Sequence, residues 1–205
     1  MYQFTPRLSA PYKTNPVEVP LWFANPRNAY YPSYQMPNCT CYSWGRVMEL
    51  GNLNNLTITA DGFLGNGGLW GDNGYIGQTW KKGTTPKLGA VAVWTESGQA
   101  GHCAVVEQIN DDGSYVCSNS GWYRPIDTTN WHYFFITNCT SDNVIYYNGG
   151  RWGSYTFKTF LYPPYIDEEP EPPEPPEPPE PPIPIPKKKS WIPLAMSSVM
   201  KGFTN

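Results

Sequence analysis

Short apolar runs bounded by turn residues dominate the middle of the chain. Ala90 to Thr95, Cys103 to Ile109 and Ser114 to Asn119 are rich in Val, Ala and Ile and are flanked by Gly, Asn and Asp, which predicts three consecutive strands joined as two hairpins. The second hairpin turns at Asp111-Asp112-Gly113. If Asn110 pairs with Gly113, the register sets His102 opposite Gly121, with Asn119 on the same face one diagonal step away, and it sends Cys103 and Cys117 to opposite faces. A three-residue turn would invert that parity. Residues 131–162 are again aromatic and turn-rich, and Y-Y-N-G-G-R-W-G supplies a hairpin turn between Ile145 and Thr156 that closes the sheet.

A helical pattern precedes the strands. In Pro37 to Gly51, Asn38 suits the N-cap and Gly51 the left-handed stop, which predicts a helix from Cys39 to Leu50. Upstream, Pro6, Pro11, Pro16, Pro20, Pro26 and Pro32 exclude long helix and central strand, so residues 1–36 are expected to wrap the domain as an extended segment. Gly65 to Tyr75 is too glycine-dense for regular structure and is expected to be a loop lining a cleft, followed by a short turn or helix from Tyr75 to Trp80.

The pattern changes abruptly after Pro163. Residues 166–186 place Glu at every third position among prolines, which in polyproline II lines the charges along one face of a stiff spacer. Residues 187–205 follow as a basic tail, where Ile192, Ala195, Val199 and Phe203 recur at helical spacing behind Lys187, Lys188 and Lys189. A membrane surface or a partner protein is a candidate contact for this tail. The expected organisation is one catalytic domain over 1–165, a linker over 166–186 and the tail.

Composition narrows the class. Aromatic residues make up 16% of the 205 and charged residues only 15%, with 23 Pro and 19 Gly, so strands and turns should outweigh helices. Residues 1–166 carry ten basic and ten acidic side chains, which leaves no basic field of the kind that binds nucleic acid. The first residues show no apolar run of signal-peptide type and no stretch is long enough to span a bilayer, so the chain is expected to be made as a reduced protein in the cytoplasm. With two histidines and only Cys39 and Cys41 closely spaced, no zinc pattern or other cofactor motif is present.

The candidate chemistry centres on Cys39. A thiol in the first turn of a helix meets unpaired N–H groups and the positive end of the dipole, which favour a thiolate, although buried cysteines commonly serve only in packing. A nucleophilic thiol also needs a base, and the base an orienter. His102 starts an apolar strand after Gly101, whose small size leaves room for a substrate, and Asn119 meets it in the register above. His132, in W-H-Y-F-F, suits a packing face better. Cys41 lies about 200° around the helix from Cys39 and faces away from any shared cleft.

N-C-T-C-Y-S-W (38–44), L-G-A-V-A-V-W (88–94), G-H-C-A-V-V-E (101–107) and S-N-S-G-W (118–122) together resemble the CHAP family, cysteine, histidine-dependent amidohydrolases/peptidases that cut bacterial peptidoglycan. The resemblance covers roughly residues 30–162. It implies an α+β, papain-like fold with an N-terminal catalytic helix packed on an antiparallel sheet. It also implies Cys39 as nucleophile, His102 as general base and acid and Asn119 as orienter, where many members have Glu. Tyr34 or Gln35 is the expected second oxyanion donor, and Trp70, Trp80, Trp94 and Trp122 are candidate cleft walls. The whole layout is similar to phage and prophage endolysins, which act at the bacterial cell wall after release, as endopeptidase or N-acetylmuramoyl-L-alanine amidase. The alternative is a virion-associated structural or wall-binding protein.

Overall fold

The computed structural model describes residues 2–9, 28–58, 65–72, 79–121 and 134–166. The chain divides into two units, Met1–Glu169 and Pro170–Asn205, and every described residue belongs to the first. The expected linker and tail, His132 and Trp122 lie outside the described residues.

Two helices come first, α1 (Tyr31–Tyr34) and α2 (Cys39–Leu53), followed by a 3₁₀ turn at Gly67–Leu69. The strands are β1 (Lys81–Gly83), β2 (Val91–Thr95), β3 (His102–Ile109), β4 (Tyr115–Asn119), β5 (Phe135–Cys139), β6 (Ile145–Tyr147), β7 (Gly150–Arg151) and β8 (Thr156–Tyr162). They form one antiparallel sheet in the order β1-β8-β2-β3-β4-β5-β6-β7. The three strands expected from the apolar runs are β2, β3 and β4, each within one residue of its expected bounds. One main helix and an antiparallel sheet make the α+β arrangement that the family resemblance implies.

Four local expectations are corrected. Helix α2 does not stop at Leu50: Gly51 lies inside it, and the chain leaves the helix at Asn54 and takes the left-handed conformation at Asn55, φ +57°. Asn54 ends the helix with both its backbone N–H and its side-chain amide donating to Leu50 O, at 3.2 and 2.7 Å. Gly51 is needed for packing instead, because a Cβ there would sit 2.6 Å from Ile58. The segment before α2 is not wholly extended, since Pro32 opens the single turn of α1, a position where its missing N–H costs nothing. The glycine-dense loop also holds a turn of 3₁₀ helix, at Gly67–Leu69. Finally, the Asn148-Gly149 turn joins β6 to β7 rather than reaching Thr156. Both turn residues have positive φ, +48° and +80°, as a tight hairpin of this hand requires. The chain then crosses to the far side of the sheet, where β8 inserts between β1 and β2.

The β3–β4 register carries the site, and it arises from two compensating irregularities. The turn is three residues long, with Asn110 N–H bonded to Ser114 O at 2.8 Å and Gly113 at φ +81°, so Ile109 pairs with Tyr115 and Gln108 with Val116. That offset alone would have inverted the expected faces. A bulge at Glu107 absorbs one residue, after which Val106 pairs with Cys117 and Val105 with Ser118, and the expected parity returns.

Side chains sort onto two faces accordingly. Val91, Val93, Cys103 and Val105 pack under α2 with Cys41, Trp44, Val47 and Leu50. Ala92, Trp94, Ala104, Val106, Tyr115 and Cys117 fill the opposite face. Cys103 and Cys117 are thus separated by the sheet, and all five cysteines are free thiols. A buried ion pair ties helix to sheet: Arg46, in α2, grips Glu107 with two bonds of 2.9 Å. Glu107 also accepts from Ser118 Oγ at 2.6 Å and from Arg7 N–H at 2.9 Å, which draws the N-terminal segment onto the same carboxylate.

Candidate active site

Asn38 caps α2 as its sequence position predicts. Its backbone is extended, φ −162° and ψ 140°, and its Oδ1 accepts from the N–H groups of Thr40 (2.9 Å) and Cys41 (3.0 Å). The Cys39 N–H takes no part in this cap, and the half-buried Cys39 side chain lines a cavity. Its volume is about 480 Å³. His102 opens β3, lines the same cavity and is almost wholly buried.

Asn119 determines how His102 is protonated. Its amide NH₂ donates to Phe135 O at 3.3 Å and to Thr137 Oγ1 at 3.2 Å, and a carbonyl is only an acceptor, so Oδ1 must be the atom facing the imidazole. The contact from Asn119 Oδ1 to His102 Nε2 is 3.0 Å. Nε2 therefore carries a proton, and in the neutral ring Nδ1 keeps its lone pair for another proton. The ring is clamped from its sides as well, edge-on to Trp152 at 4.5 Å and tilted against Tyr155 at 5.7 Å and Trp94 at 6.1 Å.

The Cys39 thiol is held well below its usual value, first by a hydrogen bond from the Cys103 thiol and then by the hydrogen bond and charge of His102, which together outweigh desolvation. Cys103 itself is pushed up by burial, so it stays protonated and donates. Cys41 is pushed up by burial too and sits in the core beneath the helix, away from the cavity. Of the two neighbouring cysteines, only Cys39 has surroundings that favour the thiolate. An iodoacetamide titration should show Cys39 alkylated fastest above its depressed pKa and progressively slower as the pH falls through it. Cys103→Ala should move that midpoint to higher pH, since it removes the largest stabiliser of the thiolate.

Glycines hold the wall beneath His102. Gly101 is at φ +67°, and a Cβ there would lie 2.5 Å from both Gly68 Cα and Trp94 O. The small residue makes room for the 3₁₀ turn, and it also lines the cavity beside His102. Gly67 likewise packs on the His102 backbone, with a virtual Cβ 3.1 Å from His102 C. Left-handed strain of about 1–2 kcal/mol and overpacking of about 1–3 kcal/mol add at Gly101. The urea midpoint of Gly101→Ala should fall by the equivalent of roughly 2–5 kcal/mol.

The structure brings together Cys39, His102 and Asn119, and it corrects the cleft walls. Trp70, Trp80 and Trp94 are buried in the core, with Trp44 stacked on Trp80 at 5.9 Å and 10°. The aromatic residues that do line the cavity are Tyr34, Trp152 and Tyr155. Trp152 directly follows β7, with its N–H bonded to Ile145 O at 2.9 Å, and only the packing of separate strands sets it against the His102 ring, so no local sequence signal marked it. Gln35 does not line the cavity, and the N–H groups of Tyr34 and Gln35 are both used inside α1, donating to Tyr30 O (2.9 Å) and Tyr31 O (3.1 Å). Of that pair only the Tyr34 phenol remains available to the site. Among the described residues, no group of three or more His, Cys, Asp or Glu side chains is placed to hold a metal ion.

Residues 29–121 match the family model described as CHAP domain. A solved structure, that of N-acetylmuramoyl-L-alanine amidase from Staphylococcus aureus, is 31% identical over 40% of this chain and 23% of its own, with a TM-score of 0.33. The chain therefore matches less than a quarter of that protein's length.

Proposed function

We propose, from the match of residues 29–121 to the CHAP domain model, that this chain is a peptidoglycan hydrolase that cuts an amide bond of the bacterial cell wall by a Cys-His-Asn thiol mechanism. The observation that carries the reading is the Asn119 amide, whose two donor bonds to Phe135 and Thr137 leave His102 with Nδ1 free to take a proton at the cavity that Cys39 lines. A thiol nucleophile requires a base oriented in this way.

His102 Nδ1 takes the Cys39 proton, and the thiolate attacks the amide carbon. The oxyanion that forms is met by the Cys39 N–H at the positive end of α2, with the Tyr34 phenol as the second donor. His102, now a cation, protonates the departing amine, and the C–N bond breaks to leave a thioester. A water molecule that gives its proton to His102 then releases the acid and restores the thiol. Trp152, packed on the imidazole edge, keeps bulk water off the ring. The bond is that of an endopeptidase or of an N-acetylmuramoyl-L-alanine amidase, in the setting of a phage or prophage endolysin acting at the wall.

Purified protein should clear a suspension of bacterial walls and release muropeptides whose masses identify the severed amide. Binding to walls with no new amino termini would replace the hydrolase by a wall-binding role.

A further inference from the structure

The cavity beside Cys39 has an electrostatic asymmetry that the bond-cutting steps do not use. Glu96, just beyond β2, is half-buried and is the one carboxylate among the lining residues, and His102 is the only basic side chain there. Its carboxylate accepts one described hydrogen bond, from Ser154 N–H at 3.2 Å, and makes no ion pair among the described residues. The Ser154 amide also pins one oxygen in place. Two aromatic rings share the cavity with it: Tyr155, which feels the Glu96 charge and is pushed up to about 12 mainly by burial, and Trp152, 5.5 Å from Tyr155. An anion with unused acceptor capacity, in a cavity lined by aromatic rings, suits a compact cation.

We propose that Glu96 and the Tyr155–Trp152 wall form a subsite for a free ammonium group of the substrate, and that this group determines which wall peptides are cut fast. The inference rests on the hydrolase reading of the same cavity. It makes Glu96 a specificity residue: the amine, whether a peptide amino terminus or a side-chain amine, docks on the carboxylate while the amide to be cut lies over Cys39. A free carboxylate on the substrate would be repelled from the same wall.

The test compares wall lysis on two substrates, native walls and walls whose amines have been acetylated, with wild-type protein and with Glu96→Gln. The wild type should cut native walls about tenfold faster than acetylated ones, the ratio expected of one charge-assisted contact. In Glu96→Gln that ratio should fall to about one, and Glu96→Lys should reverse it. Equal wild-type rates on the two walls, or a preference that persists in Glu96→Gln, would overturn the subsite while leaving the hydrolase intact. If Glu96 acts instead by stabilising the His102 cation, Glu96→Gln slows both substrates equally and the ratio stays, which also overturns it. Failure to lyse either wall overturns the hydrolase reading and the subsite with it. Soluble wall peptides blocked at the α-amine alone or at the side-chain amine alone then assign the source of the ammonium.

Discussion

Cys39→Ala is expected to lower the rate of wall cleavage by at least about 10³-fold, because no other group at the cavity can form the covalent intermediate. Cys41 cannot replace it: it is fully buried in the helix–sheet core, and its thiol is pushed up, not down. His102→Ala should be nearly as severe. The Cys103 bond would still favour the thiolate, but the proton for the leaving amine would be lost, so the first C–N cleavage would stall. The two losses should not add, since both residues serve one step. The measurement is the release of new amino termini from purified walls, with an unchanged thermal midpoint as the folding control. Lysis retained by Cys39→Ala would sink the thiol mechanism outright.

Glu107→Ala is expected to be the most destabilising single change among the polar residues, at about 3–5 kcal/mol. Glu107 is 1% exposed and its Arg46 partner 2% exposed, so deleting the carboxylate leaves a guanidinium in the helix–sheet interface with its main counter-charge gone. Ser118 Oγ and the Arg7 N–H lose their acceptor at the same time. Glu49 also pairs with both arginines, at 2.8 Å each, but its side chain keeps 18% exposure. Water can take over much of its role, so Glu49→Ala should cost only about 0–1 kcal/mol. Urea unfolding of the two variants checks the contrast, and equal losses would show that the network is not anchored on Glu107. The Glu107 bulge also restores the register that brings His102 to Asn119, so activity should fall along with stability.

How much was legible depended on the range of the interaction that decides each feature. The Asn38 cap and the start of α2 at Cys39 are set within four residues, and both appear where the sequence places them. The strands β2 to β4 follow from apolar runs and turn residues that are also local. The end of α2 was not legible, because Gly51 looks like a stop until Ile58 is seen to need its missing side chain. Trp70, Trp80 and Trp94 were similarly ambiguous, since a tryptophan suits a cleft as well as a core until the opposing residues are known.

The His102–Asn119 register is the instructive case. The expected faces came out right, although the turn has three residues and not the assumed two, because the Glu107 bulge cancels the slip. That bulge coincides with the carboxylate that Arg46 pulls toward α2 and Ser118 binds across the strand. By itself, then, the sequence determined the order of elements, the capped helix with Cys39 in its first turn, and the residue types of a thiol site. Those properties depend on neighbours along the chain and on hydrophobic period. Only the tertiary structure decided which nitrogen of His102 faces Asn119, the placing of Cys103 beside Cys39, and the wall of Trp152, Tyr155 and Glu96. Each of these depends on groups from separate strands meeting within a few ångströms, and local pattern holds no information about such meetings.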